Sequence, residues 1–129
     1  MAKRAGPINF DTVREIGLRL PGAEKGTTYG SPALKVDGKM FACMAVHRSA
    51  EPNSLVVRVD FEERDELISA DPNTYYLTDH YVDYATVLVR LARVHRDALG
   101  DLLRMAHQFV TGKSQRRTSE RRPKPPRRR

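Results

Sequence analysis

Nine of the last seventeen residues are Lys or Arg: Lys113, Arg116, Arg117, Arg121, Arg122, Lys124, Arg127, Arg128 and Arg129, with Glu120 the single acid among them. Cations at that density neutralise phosphates and release counterions, giving sequence-independent affinity for nucleic acid that falls steeply with salt. No base-reading element is visible in this stretch, so any selectivity has to come from elsewhere in the chain. Lys35 and Lys39 bracket Asp37-Gly38, and a hairpin with basic flanks can lie against a duplex as a wing. The same lysines suit a plain solvent-facing hairpin, where they discourage edge aggregation. Tyr75, Tyr76, Tyr81 and Tyr84 fall within ten residues and supply rings of the kind that stack on bases. No Lys or Arg lies between Arg64 and Arg90, whereas Asp71, Asp79 and Asp83 do. Core packing and rim contacts therefore fit the tyrosines better, with a pocket for a neutral small molecule or a peptide as the functional alternative.

Catalytic and metal chemistry find less to work with. His80 with Asp79 and Asp83 offers an imidazole and two carboxylates, a donor set for a hard or borderline cation, but on an exposed loop these read as ordinary polar residues. Cys43 sits mid-strand, where a buried, inert thiol is the usual outcome. At a rise of ~3.3 Å per residue, extended chain places His47 some ~13 Å away, too far for a Cys-His pair. Ser31 lacks a Gly-x-Ser-x-Gly setting, and Gly22, Gly26 and Gly30 lack the Lys-Ser/Thr that a phosphate loop needs. No enzyme, metal or cofactor is expected.

The chain that must position these groups has 129 residues, 40% of them apolar, enough for one compact core. Its longest apolar run, Met40 to Val46, is seven residues, against ~20 for a membrane helix. No apolar stretch follows Met1-Ala2-Lys3-Arg4, so no secretory leader is expected. The single cysteine excludes an internal disulfide. Together these point to a soluble protein of the reducing cytoplasm. The net charge of +7 is uneven: residues 113–129 carry +8, and residues 1–112 carry −1. Residues 113–129 have no apolar side chain besides prolines to offset the entropy of ordering. They read as a disordered basic tail behind a folded domain over residues 1–112.

Within that domain Phe10, Val13, Ile16 and Leu20 recur at helical spacing, with Asn9 or Asp11 as cap and Pro21-Gly22 as stop. A glycine-rich connector is expected from Gly22 to Pro32. Ala33–Val36 and Lys39–His47 flank Asp37-Gly38 as a hairpin, and Ser54–Val59 reads as a third strand. FEERDELIS reads as a short exposed helix whose acids form a solvated face. Tyr75–Leu77 and Ala85–Leu91 read as two further strands, and Ala98, Leu99, Leu102, Leu103, Ala106, Phe109 and Val110 form one stripe of a helix over 95–111. Three strands, a helix, two strands and two terminal helices make an α+β, two-layer sandwich. Its mostly antiparallel sheet has about five strands, covered by the terminal helices.

Leu20-Pro21-Gly22-Ala23-Glu24, followed by Tyr29-Gly30-Ser31-Pro32-Ala33-Leu34-Lys35-Val36-Asp37-Gly38-Lys39-Met40-Phe41-Ala42, resembles the opening signature of the MmcQ/YjbR family. There a helix ends in Leu-Pro-Gly, a Gly-x-Pro segment follows, and a hairpin closes on Gly-Lys-x-Phe-Ala. The likeness covers roughly residues 9–111. It implies a frataxin-like (CyaY-like) α+β fold, also called a double-wing motif, and a description as DNA-binding. Where many members carry Asn-Lys-x-His-Trp, this chain has Thr78-Asp79-His80-Tyr81-Val82-Asp83-Tyr84, with acids in place of the basic residue and no Trp. Frataxin-like folds also bring iron to mind, but the first helix offers only Asp11 and Glu15, too few for an acidic ridge.

The sequence is thus expected to encode a DNA-binding protein that neutralises phosphate with its tail while the folded domain positions it. The alternative is a non-catalytic module binding a protein or small-molecule partner through the sheet face or the tyrosine-rich segment.

Overall fold

The computed structural model describes residues 8–112, and its first helix, α1 (Phe10–Gly17), begins where the sequence offers a cap. Asn9 Oδ1 accepts hydrogen bonds from the N–H groups of Asp11 at 2.9 Å and Thr12 at 3.4 Å, taking up donors with no partner inside the helix. Gly17 ends α1 against the sheet: a Cβ at this position would collide with Leu34 Cδ1.

The expected connector after Pro21-Gly22 is instead a strand, β1 (Ala23–Thr28), antiparallel to β2 (Ser31–Val36). Tyr29 and Gly30 close that hairpin with φ angles of 53° and 76°. Asp37 and Gly38 do the same, at 54° and 76°, between β2 and β3 (Lys39–Met44). Left-handed backbone at both central residues is what a two-residue hairpin turn needs. β1 is an edge strand of mostly exposed Glu, Lys, Gly and Thr, so no apolar alternation marked it. Among the described residues the sheet therefore has six strands, one more than the five or so expected.

The remaining elements follow the expected order: β4 (Ser54–Arg58), α2 (Phe61–Ala70), β5 (Tyr75–Tyr76), β6 (Thr86–Arg90) and α3 (Arg96–Thr111). The spatial order is β1-β2-β3-β4-β6-β5, and every neighbouring pair is antiparallel. Helices α1 and α3 cover one face, where Val13, Leu99, Leu102 and Leu103 meet Leu34, Phe41, Leu55 and Val87, all almost fully buried. Each such side chain contributes about 1.5–3 kcal/mol on leaving water. His107 on α3 is buried too, with Nε2 2.6 Å from Pro21 O and its ring edge-on to Phe41. It ties the last helix to the turn between α1 and β1. The architecture is an α+β two-layer sandwich with an open antiparallel sheet.

Candidate functional site

Among the described residues, no helix lies on the second face of the sheet. Alternation along β4 and β6 sends Leu55, Val57, Val87 and Val89 to the helices and Val56, Arg58, Thr86 and Leu88 to the other side. β3 would follow the same rule but for a bulge: Leu34 pairs with Ala42 while Lys35 pairs with Met40. The extra residue turns Phe41 and Ala42 both into the helix-side core. Met40 and Cys43, three apart, then share the uncovered face. A bulge re-aims side chains in this way without breaking the strand.

What lies over that face is an irregular segment, 77–84, fastened at intervals. Tyr81 inserts among Ala33, Cys43, Val56 and Leu88 and is 8% exposed. Thr78 Oγ1 lies 2.7 Å from Ser49 Oγ, which lies 2.8 Å from His47 Nδ1. The imidazoles of His47 and His80 stack with centroids 3.6 Å apart and planes 9° from parallel. Beyond them Arg64 reaches up from α2, donating to the carbonyls of Val82 at 2.9 Å and Tyr84 at 3.1 Å. Its guanidinium lies over the Phe61 ring. The helix expected to be exposed thus carries one buried cation, 8% exposed, whose job is to hold this segment down. At the far edge Arg90 pairs with Glu51 through two 2.8 Å hydrogen bonds and covers the Tyr76 ring at 4.1 Å. That ion pair lowers the Glu51 carboxyl and raises Arg90.

Between segment and sheet lies a cavity of about 600 Å³, within the range of small-molecule sites. Met40, Cys43, Val56 and Thr86 belong to its sheet side, and His47, His80, Tyr81 and Tyr84 to its loop side. Its mouth is apolar and exposed: Tyr29, Val46 and Tyr84 line it at 90%, 55% and 58% exposure. They are half of the large apolar side chains that stand exposed among the described residues, gathered at one opening. Tyr29 is also held in left-handed backbone, unfavourable for a bulky residue.

The polar groups of the cavity are few. Thr86 is 5% exposed, and its Oγ1 is buried with no hydrogen-bond partner among the described residues. Among the described residues Arg58 is the one Lys or Arg in the lining, and no Asp or Glu lines the cavity. Burial pushes the Cys43 thiol up to about 11, so it is protonated and a poor nucleophile. His47 is lowered, first by desolvation and then by the neighbouring charges of His80 and Arg48. Because Ser49 N–H donates to His47 Nδ1 at 3.1 Å, the neutral ring carries its proton on Nε2.

Lys35 and Lys39 flank the β2–β3 turn, Lys39 exposed and Lys35 half-buried with its stem beside Gly26 of β1. Lys113, Arg116, Arg117, Arg121, Arg122, Lys124, Arg127, Arg128 and Arg129 lie outside the described residues. Of the tyrosine group, Tyr75 faces the helix-side core and Tyr76 the Arg90 clamp, while Tyr81 and Tyr84 line the cavity. β3 stops at Met44, so His47 belongs to a loop and the straight-strand spacing from Cys43 does not apply; both residues line the same cavity. His80 stacks on His47, and no group of three or more His, Cys, Asp or Glu that could hold a metal occurs among the described residues. No described helix is long and apolar enough to cross a membrane.

A family model described as YjbR matches residues 18–109, from the end of α1 into α3. The crystal structure of Deinococcus radiodurans protein DR2400, described as a DUF419 domain, is similar at a TM-score of 0.67 and 27% identity. The likeness covers 81% of this chain and 80% of that one. DUF419 and YjbR/MmcQ are the same family. No curated protein matches the chain.

Proposed function

The chain belongs to the YjbR family, and from that footing we propose that it is a non-catalytic binding protein whose folded domain takes a small ligand in the cavity of the uncovered sheet face. The observation that carries this is the cavity itself, about 600 Å³ beneath segment 77–84, with Tyr29, Val46 and Tyr84 standing exposed among its lining. Large apolar side chains left exposed around one opening mark a surface that a bound ligand would cover. The protonated state of Cys43 supports binding over catalysis.

The test uses two aromatic probes, indole and indole-3-acetate, titrated into the ¹⁵N-labelled full chain. Saturable shifts are expected at the amides of Cys43, Val56 and Thr86. Titrations that leave those amides unmoved with both probes, up to their solubility limits, would overturn the reading.

A second reading rests on charge. Residues 113–129 hold +8 beside a domain that holds −1, and a segment of that charge is suited to nucleic-acid phosphates. In this reading the tail neutralises DNA, with Lys35 and Lys39 on the β2–β3 hairpin as a second contact. If it makes about five phosphate contacts, the log–log salt slope for a labelled duplex is about −4.5. That slope should vanish in a chain ending at Gly112. Undiminished duplex binding by the shortened chain would remove the tail from the account.

A further inference from the structure

We propose that the proline-rich end of the chain's own basic tail, Pro123 to Arg129, docks on the exposed aromatic rim of the cavity and is held there by acids of the covering segment. Occupation of the rim needs nothing bound inside the cavity, so it does not depend on the ligand reading. Charge leads there first. From Asp65 to Val89 the chain holds five acids, Asp65, Glu66, Asp71, Asp79 and Asp83, and no Lys or Arg. That stretch includes the whole of segment 77–84, and its −5 shares a chain with the +8 of residues 113–129. A surface of that sign repels phosphate and attracts a cationic peptide. Asp83 is exposed next to Tyr84, and Asp79 is exposed next to His80, so two of the acids stand on the cover beside residues of the lining. Arg58 has its guanidinium turned to Phe109, 5.8 Å from the ring centre.

The rim supplies a matching surface. Tyr29, Val46 and Tyr84 stand exposed at the opening, and Phe61 and Val82 lie around Arg64, whose Nη1 also holds the Tyr84 carbonyl. These are five of the six large apolar side chains exposed among the described residues. Aromatic surfaces take proline-rich segments in the polyproline conformation, which repeats every three residues. Pro123 and Pro126 then form one edge, for the rings, while Lys124 and Arg127 form another, for the acids. The end of α3 is placed to deliver them. Phe109, three residues before Gly112, lies against Arg58, which is opposite Thr86 across β4 and β6, two residues from Tyr84. The eleven residues from Gly112 to Pro123 span up to ~36 Å, enough to pass round that end of the sheet. Cations held at the rim are not free for phosphates, so docking and duplex binding compete.

The test compares the ¹⁵N-labelled full chain with a full-length variant carrying Pro123→Ser, Pro125→Ser and Pro126→Ser, which keeps every charge. The substitutions should move the amides of Tyr29, Val46 and Tyr84 and leave those of Val13 and Leu103, on the helix face, in place. A synthetic peptide of residues 119–129 added to the variant should move the rim amides back, half-saturating at or below about 1 mM, the effective concentration that a short tether supplies. The same peptide with serines for its prolines should not. Asp83→Asn, added to the variant, should raise the peptide concentration needed by about two- to fivefold, the worth of a surface ion pair. Rim amides that stay still when the prolines are replaced would overturn the proposal. Equal responses to the two peptides would also overturn it, by reducing the contact to charge alone. Rim shifts that depend on protein concentration would give the site to the tail of a second copy and overturn docking within one chain. No small ligand enters any arm, so each of these results leaves the cavity reading standing.

Discussion

Replacing Thr86 by Val should make the protein more stable, which is unusual for a change at a 95%-buried position and follows from one atom. Thr86 lies on β6 opposite Arg58 of β4, is 5% exposed, and keeps its backbone bond from N–H to the Tyr84 carbonyl at 2.8 Å. Its Oγ1 has no partner among the described residues. Val has nearly the same shape and suits a strand, so the substitution removes an unsatisfied hydroxyl worth about 1–3 kcal/mol and adds a methyl group to the cluster around Leu88. With a urea slope of about 1.5 kcal/mol/M, a gain of about 1.5 kcal/mol moves the unfolding midpoint up by about 1 M. In a thermal scan it raises the melting temperature by about 4–8 °C per kcal/mol for a domain of this size. A midpoint that stays level or falls would show the hydroxyl to be satisfied in the free protein, and the argument from it would collapse.

Three further outcomes follow from the ties around the same face. Arg64→Met should cost about 2–3 kcal/mol by removing charge-assisted bonds to two carbonyls, and the accompanying chemical-shift changes should centre on residues 82–84; changes spread evenly over the sheet would contradict the role given to Arg64. Stability should also depend on pH through His47, whose folded pKa lies below the unfolded value of about 6.5. Its contribution is fully present above that value and is lost as pH falls towards the folded pKa, because the unfolded chain then binds a proton that the stacked ring excludes. Urea midpoints at pH 7.5 and pH 5 should show this drop, and His80→Ala, which removes a neighbour that depresses His47, should shrink it. Cys43, with its pKa raised from 9.0 to about 11, should react with iodoacetamide at pH 8 about a hundredfold more slowly than in the urea-unfolded chain. Fast labelling of the folded protein would show that the floor of the cavity is not closed.

Much of the layered fold is legible in the residues, and the parts that are not have identifiable causes. Asp37-Gly38, the stripe from Leu99 to Val110 and the alternation from Val87 to Leu91 each carry a local signal strong enough to specify an element. β1 carries none: Glu24, Lys25, Gly26 and Thr27 pair with β2 without any apolar alternation, and the turn that makes the pairing possible uses Tyr29, which composition does not mark as a turn residue. The cavity is hidden for a different reason. Its floor depends on a bulge that moves Cys43 to the side of Met40, and its loop wall on a stack between His47 and His80, which are 33 residues apart in sequence. Arg64 is hidden by its neighbours, since Glu62, Glu63, Asp65 and Glu66 make the helix read as solvated. A buried cation inside an acidic run is the one local clue that this helix holds something in place.

The two faces of the sheet are held by different physics, and that difference bears on function. On the helix side, α1 and α3 bury a continuous apolar surface, so opening it means unfolding the domain. On the other side the cover is segment 77–84, which buries one ring, Tyr81, and otherwise depends on the Ser49–Thr78 contact, the histidine stack and the two bonds from Arg64. Opening that segment exposes little apolar surface and so costs far less than global unfolding. A wall with that energetics can part to admit a ligand and close again without disturbing the core. Ligand and segment would then stabilise each other, because whatever fills the space beside Tyr81 binds the closed arrangement in preference to the open one. A helix packed across this face would fill the cavity; a short segment fastened at separate points leaves that space open beneath it.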